Sequence, residues 1–248
     1  MKSARPDASR ETRQTAAAVA ERLAGVANSE KAALLQRFFK TGPGEYGEGD
    51  RFLGITVPQQ RKVAREFAAL PMEEGGQLLA SPFHEHRLTA LLIWVRQFER
   101  GNEPARRTLH AAYLANTARV NNWDLVDLSA PHLVGTWLLD RSRAVLRRLA
   151  RSESLWERRI AIVATFAFIR RDEFADALDI ADRLLKDRED LLHKATGWML
   201  REVGKRDQAV LEDFLRPRCD WMPRTMLRYA IERFPEPLRK QYLAGSFT

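Results

Sequence analysis

The segment ERRIAIVATFAFIRR (residues 157–171) has a pattern that recurs along the chain and predicts the fold. It begins with a polar or cationic cluster and continues as an apolar helix. Four other segments share this pattern: EHRLTALLIWVRQ (85–97), NNWDLVDLSA (121–130), HKATGWMLREVGK (193–205) and PRTMLRYAIERF (223–234). The first four in chain order recur about every 36 residues, which places Arg87, Trp123, Arg159 and Ala195 in one register. That period predicts an all-α solenoid of HEAT-like repeats, built from stacked antiparallel helix pairs.

The rest of the chain fits this interpretation, because no convincing period-2 strand interrupts the helical pattern. We expect residues 1–12 to be a disordered tail and residues 13–248 to form a single domain. The glycine-rich stretch TGPGEYGEGD (residues 41–50) breaks the helical pattern. It is acidic, follows no strand and lacks the ending of a phosphate-binding loop, so it is predicted to be a structural loop.

The charge of the chain predicts an anionic partner. Lys and Arg number 41 against 33 Asp and Glu, which gives a formal net charge of +8 and a pI near 10.0. Basic residues scattered over the surface without a partner are the alternative. The single cysteine, Cys219, excludes an internal disulfide framework and a multi-cysteine metal site. No apolar signal region or membrane-length run is present, so we expect a soluble cytoplasmic protein with no membrane partner.

Cations fall in the first turn of the predicted helices, where the partial positive charge of the helix end makes them unfavourable. These residues are Arg87, Arg158, Arg159, Lys194 and Arg224. Their repeated placement predicts a basic face of the solenoid that binds successive phosphates of a nucleic acid. The alternative is that these side chains only extend into solvent.

Trp198 lies among cations on the predicted helix that contains it. Lys194, Trp198, Arg201 and Lys205 are separated by four, three and four positions, so they fall on one side of a helix. An indole in that position can stack on a sugar or a base while the neighbouring cations bind the backbone. Packing at a repeat interface is the alternative role for Trp198.

Trp123 and Asp127 are four residues apart and are predicted to be neighbours on one helix face. Asp124 projects elsewhere and is interpreted as a cap or a solvated acid, and Pro131 is expected to kink or restart the helix. A carboxylate beside an indole can stabilise positive charge that develops on a substrate. A salt bridge between Asp127 and Arg159 is an equally open alternative.

Other chemistries have little support in the sequence. His84 and His86 lack a third metal ligand at helical spacing, and the other histidines are isolated. Cys219 has no neighbouring histidine and is interpreted as structural. Rossmann, Walker and serine-elbow motifs are absent, so an enzyme with this sequence is expected to need no metal and no nucleotide cofactor.

The repeated motifs together resemble the AlkD-type DNA alkylation repair proteins, which are HEAT-like-repeat alkylpurine DNA glycosylases. The resemblance covers roughly Glu30 to Tyr242 and depends on five stretches. They are FLGITVP (residues 52–58), NNWDLVD (121–127), LWERRIAIVAT (155–165), HKATGWMLREVGKR (193–206) and MPRTMLRYAIERF (222–234).

The resemblance implies hydrolysis of the N-glycosidic bond of cationic N3- or N7-alkylated purines in duplex DNA, without base flipping. It places the catalytic aspartate at Asp127, the active-site tryptophans at Trp123 and Trp198, and a DNA-contacting arginine at Arg159. The implied partner is double-stranded DNA with alkylated bases, and we expect a monomer without a cofactor. A non-catalytic binder of damaged or branched DNA and a HEAT-type protein scaffold are the alternative functions.

The N-terminal part departs from the family pattern. Phe38 occupies what looks like a tyrosine position, and the glycine-rich loop is inserted before FLGI. Tyr46 in that loop is a candidate to replace the missing hydroxyl. No N-terminal DNA contact is therefore inferred from the resemblance.

Overall fold

The computed structural model describes residues 13–245, so the disordered tail predicted for residues 1–12 lies outside the described residues. Within that range the chain is helical, and Arg51 and Phe83 form an isolated β-bridge. No helix between residues 13 and 245 has both the length and the apolar character needed to cross a membrane. The chain divides into two compact units at Arg100 and Gly101, which is the Gly-Asn break between two helical patterns. The single domain predicted for residues 13–248 stays a prediction.

Within its described residues, 13–100, the first unit contains five helices: α1 (Ala16–Ala24), α2 (Ser29–Phe38), α3 (Val57–Glu66), α4 (Met72–Leu79) and α5 (His84–Arg100). The apolar helix α5 is at its centre and packs against α1, α3 and α4. At the start of α5, the buried Glu85 carboxylate accepts hydrogen bonds from the backbone N–H groups of residues 53, 54 and 55, at 2.8 to 3.2 Å. The acid at this helix start therefore holds the FLGITVP segment in place.

The glycine-rich stretch at residues 41–50 forms a series of turns between α2 and α3. Its acidic side chains bond the loop itself, since Glu45 accepts from the N–H of Gly42 and Glu48 accepts from the N–H of Gly44, each at 2.9 Å. These loop N–H groups therefore have carboxylate partners within the loop.

The second unit contains ten α-helices within its described residues, 101–245. They are α6 (Glu103–Ala115), α7 (Trp123–Asp127), α8 (Ala144–Leu149), α9 (Leu155–Ala164), α10 (Phe166–Ile169), α11 (Ala175–Leu184), α12 (Asp190–Arg206), α13 (Gln208–Leu215), α14 (Arg224–Ala230) and α15 (Glu236–Ala244). A π-helical turn, Pro131–Gly135, and the 3₁₀ turns Thr117–Arg119 and Thr136–Leu138 complete the unit.

The helices that contain the repeated segments pack side by side in chain order: α7 on α9, α9 on α12, and α12 on α14. Two of them are also paired with a neighbour along the chain, α9 with α8 and α12 with α11. The predicted all-α architecture of packed, HEAT-like helix pairs is confirmed. The basic concave face stays a prediction.

Gly197 determines how closely α12 approaches α14. A Cβ atom at this position would lie 2.5 Å from the carbonyl oxygen of Met226 and 2.5 Å from the Cβ of Tyr229. We expect Gly197→Ala to push the two helices apart and to lower the free energy of unfolding by about 1–3 kcal/mol. Urea unfolding of the purified protein measures this change.

Gly76, inside α4, provides the matched control, because a Cβ atom at this position would meet nothing within 4 Å apart from its chain neighbours and the backbone of its own helix. Gly76→Ala should leave stability unchanged or raise it by up to about 1 kcal/mol, since alanine favours the helix. Equal unfolding midpoints for Gly197→Ala and Gly76→Ala would contradict the close packing of α12 on α14.

Candidate active site

Helix α7 places Trp123 and Asp127 on successive turns, as their spacing predicted. The side chain of Asn122 caps the helix by accepting a hydrogen bond from the N–H of Trp123 at 2.8 Å. The α-helix ends at Asp127, and the chain resumes as a π-helical turn at Pro131, so the predicted restart at that proline is confirmed. Trp123 and Asp127 therefore belong to a short helix between irregular segments.

Asp127 and Arg159 form a two-point ion pair. Arg159 Nε donates to one carboxylate oxygen at 2.9 Å, and Nη2 donates to the other at 2.8 Å. The remaining Nη1 donates to the carbonyl oxygen of Leu191 at 2.6 Å. Arg159 is only 5% exposed, while the Asp127 side chain keeps 15% exposure. The arginine thus joins α7, α9 and the start of α12, and the salt bridge that the sequence left open is present.

Two opposing effects act on the Asp127 carboxyl group. Burial raises the pKa of Asp127, the charge and hydrogen bonds of Arg159 lower it, and the charge of nearby Asp124 raises it again, so that the pKa lies above its ordinary value. An arginine stays protonated at neutral pH, which favours the ionised form of the carboxylate it pairs with. Each carboxylate oxygen also keeps a lone pair for a water or a substrate.

Asp124 is buried and bonds locally, since its carboxylate accepts from the N–H of Leu125 at 2.9 Å. The interpretation of this residue as a solvated acid is therefore wrong. Successive residues of a helix point about 100° apart, so Asp124 projects from a different face of α7 than Trp123, and that face is buried.

Trp198 is half-buried on α12, and its indole has two close neighbours. The indole N–H donates to Glu202 at 3.1 Å, and the ring centre lies 6.0 Å from that of Phe166. Glu202 also accepts from Lys205 at 2.7 and 3.0 Å and lies 3.7 Å from Arg201. One carboxylate therefore fixes the tryptophan and both following cations.

Sequence reasoning did not include Glu202 in the site. The signal was available, because Trp198 and Glu202 are four residues apart and must be neighbours on a helix. The basic stripe predicted on α12 is therefore partly neutralised.

The other predicted DNA-binding cations also have partners within the protein. Lys194 pairs with Asp190 at 2.7 Å, and Arg201 pairs with Glu232. Arg158 bonds Asp187 at 2.7 Å and the carbonyl groups of residues 152 and 153, and Arg224 donates to the carbonyl of Leu243 at 2.6 Å. A phosphate would have to compete with these partners.

Two of the predicted placements need correction. Helix α9 begins at Leu155 and α12 at Asp190, so Arg159 and Lys194 lie in the second turn and not in the first. The weak repulsion expected of cations at a helix start falls off within the first turn, so it does not act on these two residues.

Arg87 belongs to the first unit and lies in its interior. It is 5% exposed, and its guanidinium donates to the buried carboxylate of Asp50 at 2.5 Å. Burial raises the pKa of Asp50, but hydrogen bonds from His84 and Arg87 and their charges outweigh this effect and hold it below its ordinary value. This placement favours a structural role for Arg87 over a phosphate contact.

Comparisons with known proteins agree with this fold and these motifs. The sequence profile of a family described as DNA alkylation repair enzyme matches residues 19–234. A solved structure described as "Predicted DNA alkylation repair enzyme from Enterococcus faecalis" is similar in fold, with a TM-score of 0.67 at 18% sequence identity. That similarity covers 85% of this chain and 97% of the other. A search of curated proteins found no significant match. The family match spans most of the chain, which therefore belongs to the DNA alkylation repair enzyme family.

Proposed function

We propose that this protein is a DNA glycosylase that hydrolyses the N-glycosidic bond of N3- or N7-alkylated purines in duplex DNA. Membership of the DNA alkylation repair enzyme family supports a role in DNA repair. The observation that carries the finer proposal is a largely buried Asp127 carboxylate, one helical turn from Trp123 and held in two-point contact by Arg159.

Release of an alkylated purine needs a carboxylate to stabilise positive charge but no general acid to protonate the base. An alkylated purine already carries positive charge and leaves without being protonated. As the bond to the base lengthens, positive charge moves to the deoxyribose, where Asp127 stabilises it and positions the attacking water. Trp123 and Trp198 contribute cation–π contacts of about 1 kcal/mol each. As the resemblance to the AlkD-type proteins implies, the proposed reaction proceeds without flipping the base.

Arg159 has a positioning role in this proposal. A buried carboxylate tends to take up a proton, which would remove the negative charge that the reaction needs. The fixed charge of Arg159 opposes that tendency, and its two parallel hydrogen bonds set the orientation of the carboxylate. The same contact offsets part of the negative charge. Arg159 therefore keeps Asp127 ionised but also weakens its attraction for the positive charge on the sugar.

The two-point ion pair is also the observation that favours a second candidate. A protein that binds damaged or branched DNA without cleaving it would use Asp127 only to hold Arg159 in place. That candidate predicts tight duplex binding and no release of a base.

Single-turnover release of free 7-methylguanine from a methylated DNA duplex tests the proposal. We expect release by the wild-type protein and none from the same duplex without methylation. If tight binding occurs but neither 7-methylguanine nor 3-methyladenine is released, the non-catalytic candidate replaces the glycosylase.

A further inference from the structure

A pocket of about 310 Å³ opens in the second unit. It is lined by the π-helical turn and the residues after it on one side and by α10 and the turn that follows on the other. The lining residues are Pro131, His132, Thr136, Leu139, Phe166, Ala167, Arg170 and Arg171. The lining combines an aromatic ring with two guanidinium groups and includes no acidic residue.

The acids nearest in sequence do not neutralise these arginines. Asp172 forms a two-point pair with Arg206, at 2.6 and 2.8 Å. Glu173 pairs with Arg143. Both carboxylates that follow Arg171 are therefore occupied by other cations, and the pocket keeps its positive charge.

Arg170 and Arg171 differ in their ion pairing from the cations that the sequence analysis predicted to bind DNA. Both are exposed, and within residues 13–245 neither forms an ion pair. The Arg170 guanidinium carbon lies 5.9 Å from the centre of the Phe166 ring, a weak contact that a phosphate does not have to displace. These two guanidinium groups can therefore bind an anion without first breaking a salt bridge.

The pocket adjoins the candidate active site through two elements. The Phe166 ring that lines it lies 6.0 Å from the Trp198 ring. Pro131, on the opposite wall, follows Asp127 by four residues. An anion in the pocket would thus lie near the Phe166 ring, which is the ring next to Trp198.

We propose that this pocket binds a backbone phosphodiester of duplex DNA, with Arg170 and Arg171 as its contacts and Phe166 against the neighbouring sugar. The inference rests on the proposed function for its partner, DNA. Two arginines with planar donor groups match the geometry of a phosphate, and phosphate contacts set the register of a protein on a duplex. The pocket would therefore position the strand with respect to Trp198 and Asp127.

The double variant Arg170→Ala/Arg171→Ala tests the inference with an undamaged duplex, whose binding is followed by fluorescence anisotropy over a series of salt concentrations. We expect the Kd to rise by about 10-fold or more near 0.1 M salt. The slope of log K against log salt should fall in magnitude by roughly one, because one phosphate is no longer neutralised and fewer counterions are released on binding.

A matched control removes the same charge elsewhere. Arg107, on α6, and Arg151, after α8, are exposed and form no ion pair within residues 13–245. Arg107→Ala/Arg151→Ala should change the Kd and the salt slope much less. If the two double variants bind the duplex equally well, or if the wild-type protein does not bind it, the inference is overturned.

Base release separates this inference from the proposed function. Weaker binding by the variant without base release by wild type would support the pocket and refute the glycosylase. Base release by wild type with unchanged binding by the variant would refute the pocket and support the glycosylase.

Discussion

Asp127→Asn is expected to lower the single-turnover rate of 7-methylguanine release by about 100-fold or more. Asparagine has nearly the same size, and its carbonyl oxygen can still accept a hydrogen bond from Arg159, but it has no negative charge. Removing one electrostatic group that stabilises a transition state typically costs that much in rate. Duplex affinity should stay within a few-fold of wild type, since Asp127 is one of many groups near the DNA and makes no favourable contact with a phosphate. The measurement is release from a methylated duplex with protein in excess.

The control for this substitution is Asp179→Asn on α11. Asp179 is also bonded to arginines, with Arg147 Nε at 2.8 Å and Arg183 Nε at 3.0 Å, but it belongs to a helix that contributes no site residue. Its release rate should equal that of wild type. Equal rates for Asp127→Asn and wild type would remove the catalytic assignment of Asp127.

Arg159→Met is expected to lower the free energy of unfolding by about 3 kcal/mol or more at neutral pH. Methionine fills much of the same volume, but the Asp127 carboxylate then stays buried without its cation. The carbonyl of Leu191 also loses the donor at 2.6 Å. Breaking one side of a buried pair costs more than the pair itself contributes, because the remaining charge has lost its water.

The loss of stability in Arg159→Met should depend on pH in a defined direction. Without Arg159 the pKa of Asp127 in the folded protein lies further above its value in the unfolded chain, since burial already raises it. An acid whose pKa is higher in the folded than in the unfolded state destabilises the folded protein, and this effect is complete at pH values above the folded-state pKa. The part of the deficit that comes from the buried charge should shrink as the pH falls and be absent near the unfolded value of about 3.9, while the part from the lost bond to Leu191 remains. Urea unfolding at several pH values checks this dependence.

The double variant Asp127→Asn/Arg159→Met closes a thermodynamic cycle. Because the buried charge is then absent, it should be more stable at neutral pH than Arg159→Met alone. If the two single losses simply add, the ion pair carries no coupling and the two-point contact does not matter for folding.

Much of the fold follows from local rules. The period of about 36 residues and the apolar spacing within each segment predict helices in a common register, and α7, α9, α12 and α14 pack in that order. Trp123 and Asp127 were predicted to be neighbours because a helix brings residues four apart together. The same rule relates Trp198 to Glu202, so that contact was predictable and was missed.

Local sequence patterns thus predict the helical architecture, the family motifs and the candidate residues Trp123, Asp127 and Trp198. Which arginines are paired with acids depends instead on the tertiary packing. Arg159 pairs with Asp127, which is 32 residues away along the chain, and Arg206 pairs with Asp172, which is 34 residues away. The physical reason is that an arginine side chain is long and selects its partner across the contact between helix pairs, where small changes in packing decide which acid is within hydrogen-bonding distance. Local spacing therefore predicts which side of a helix is cationic, but not which cations remain available for DNA.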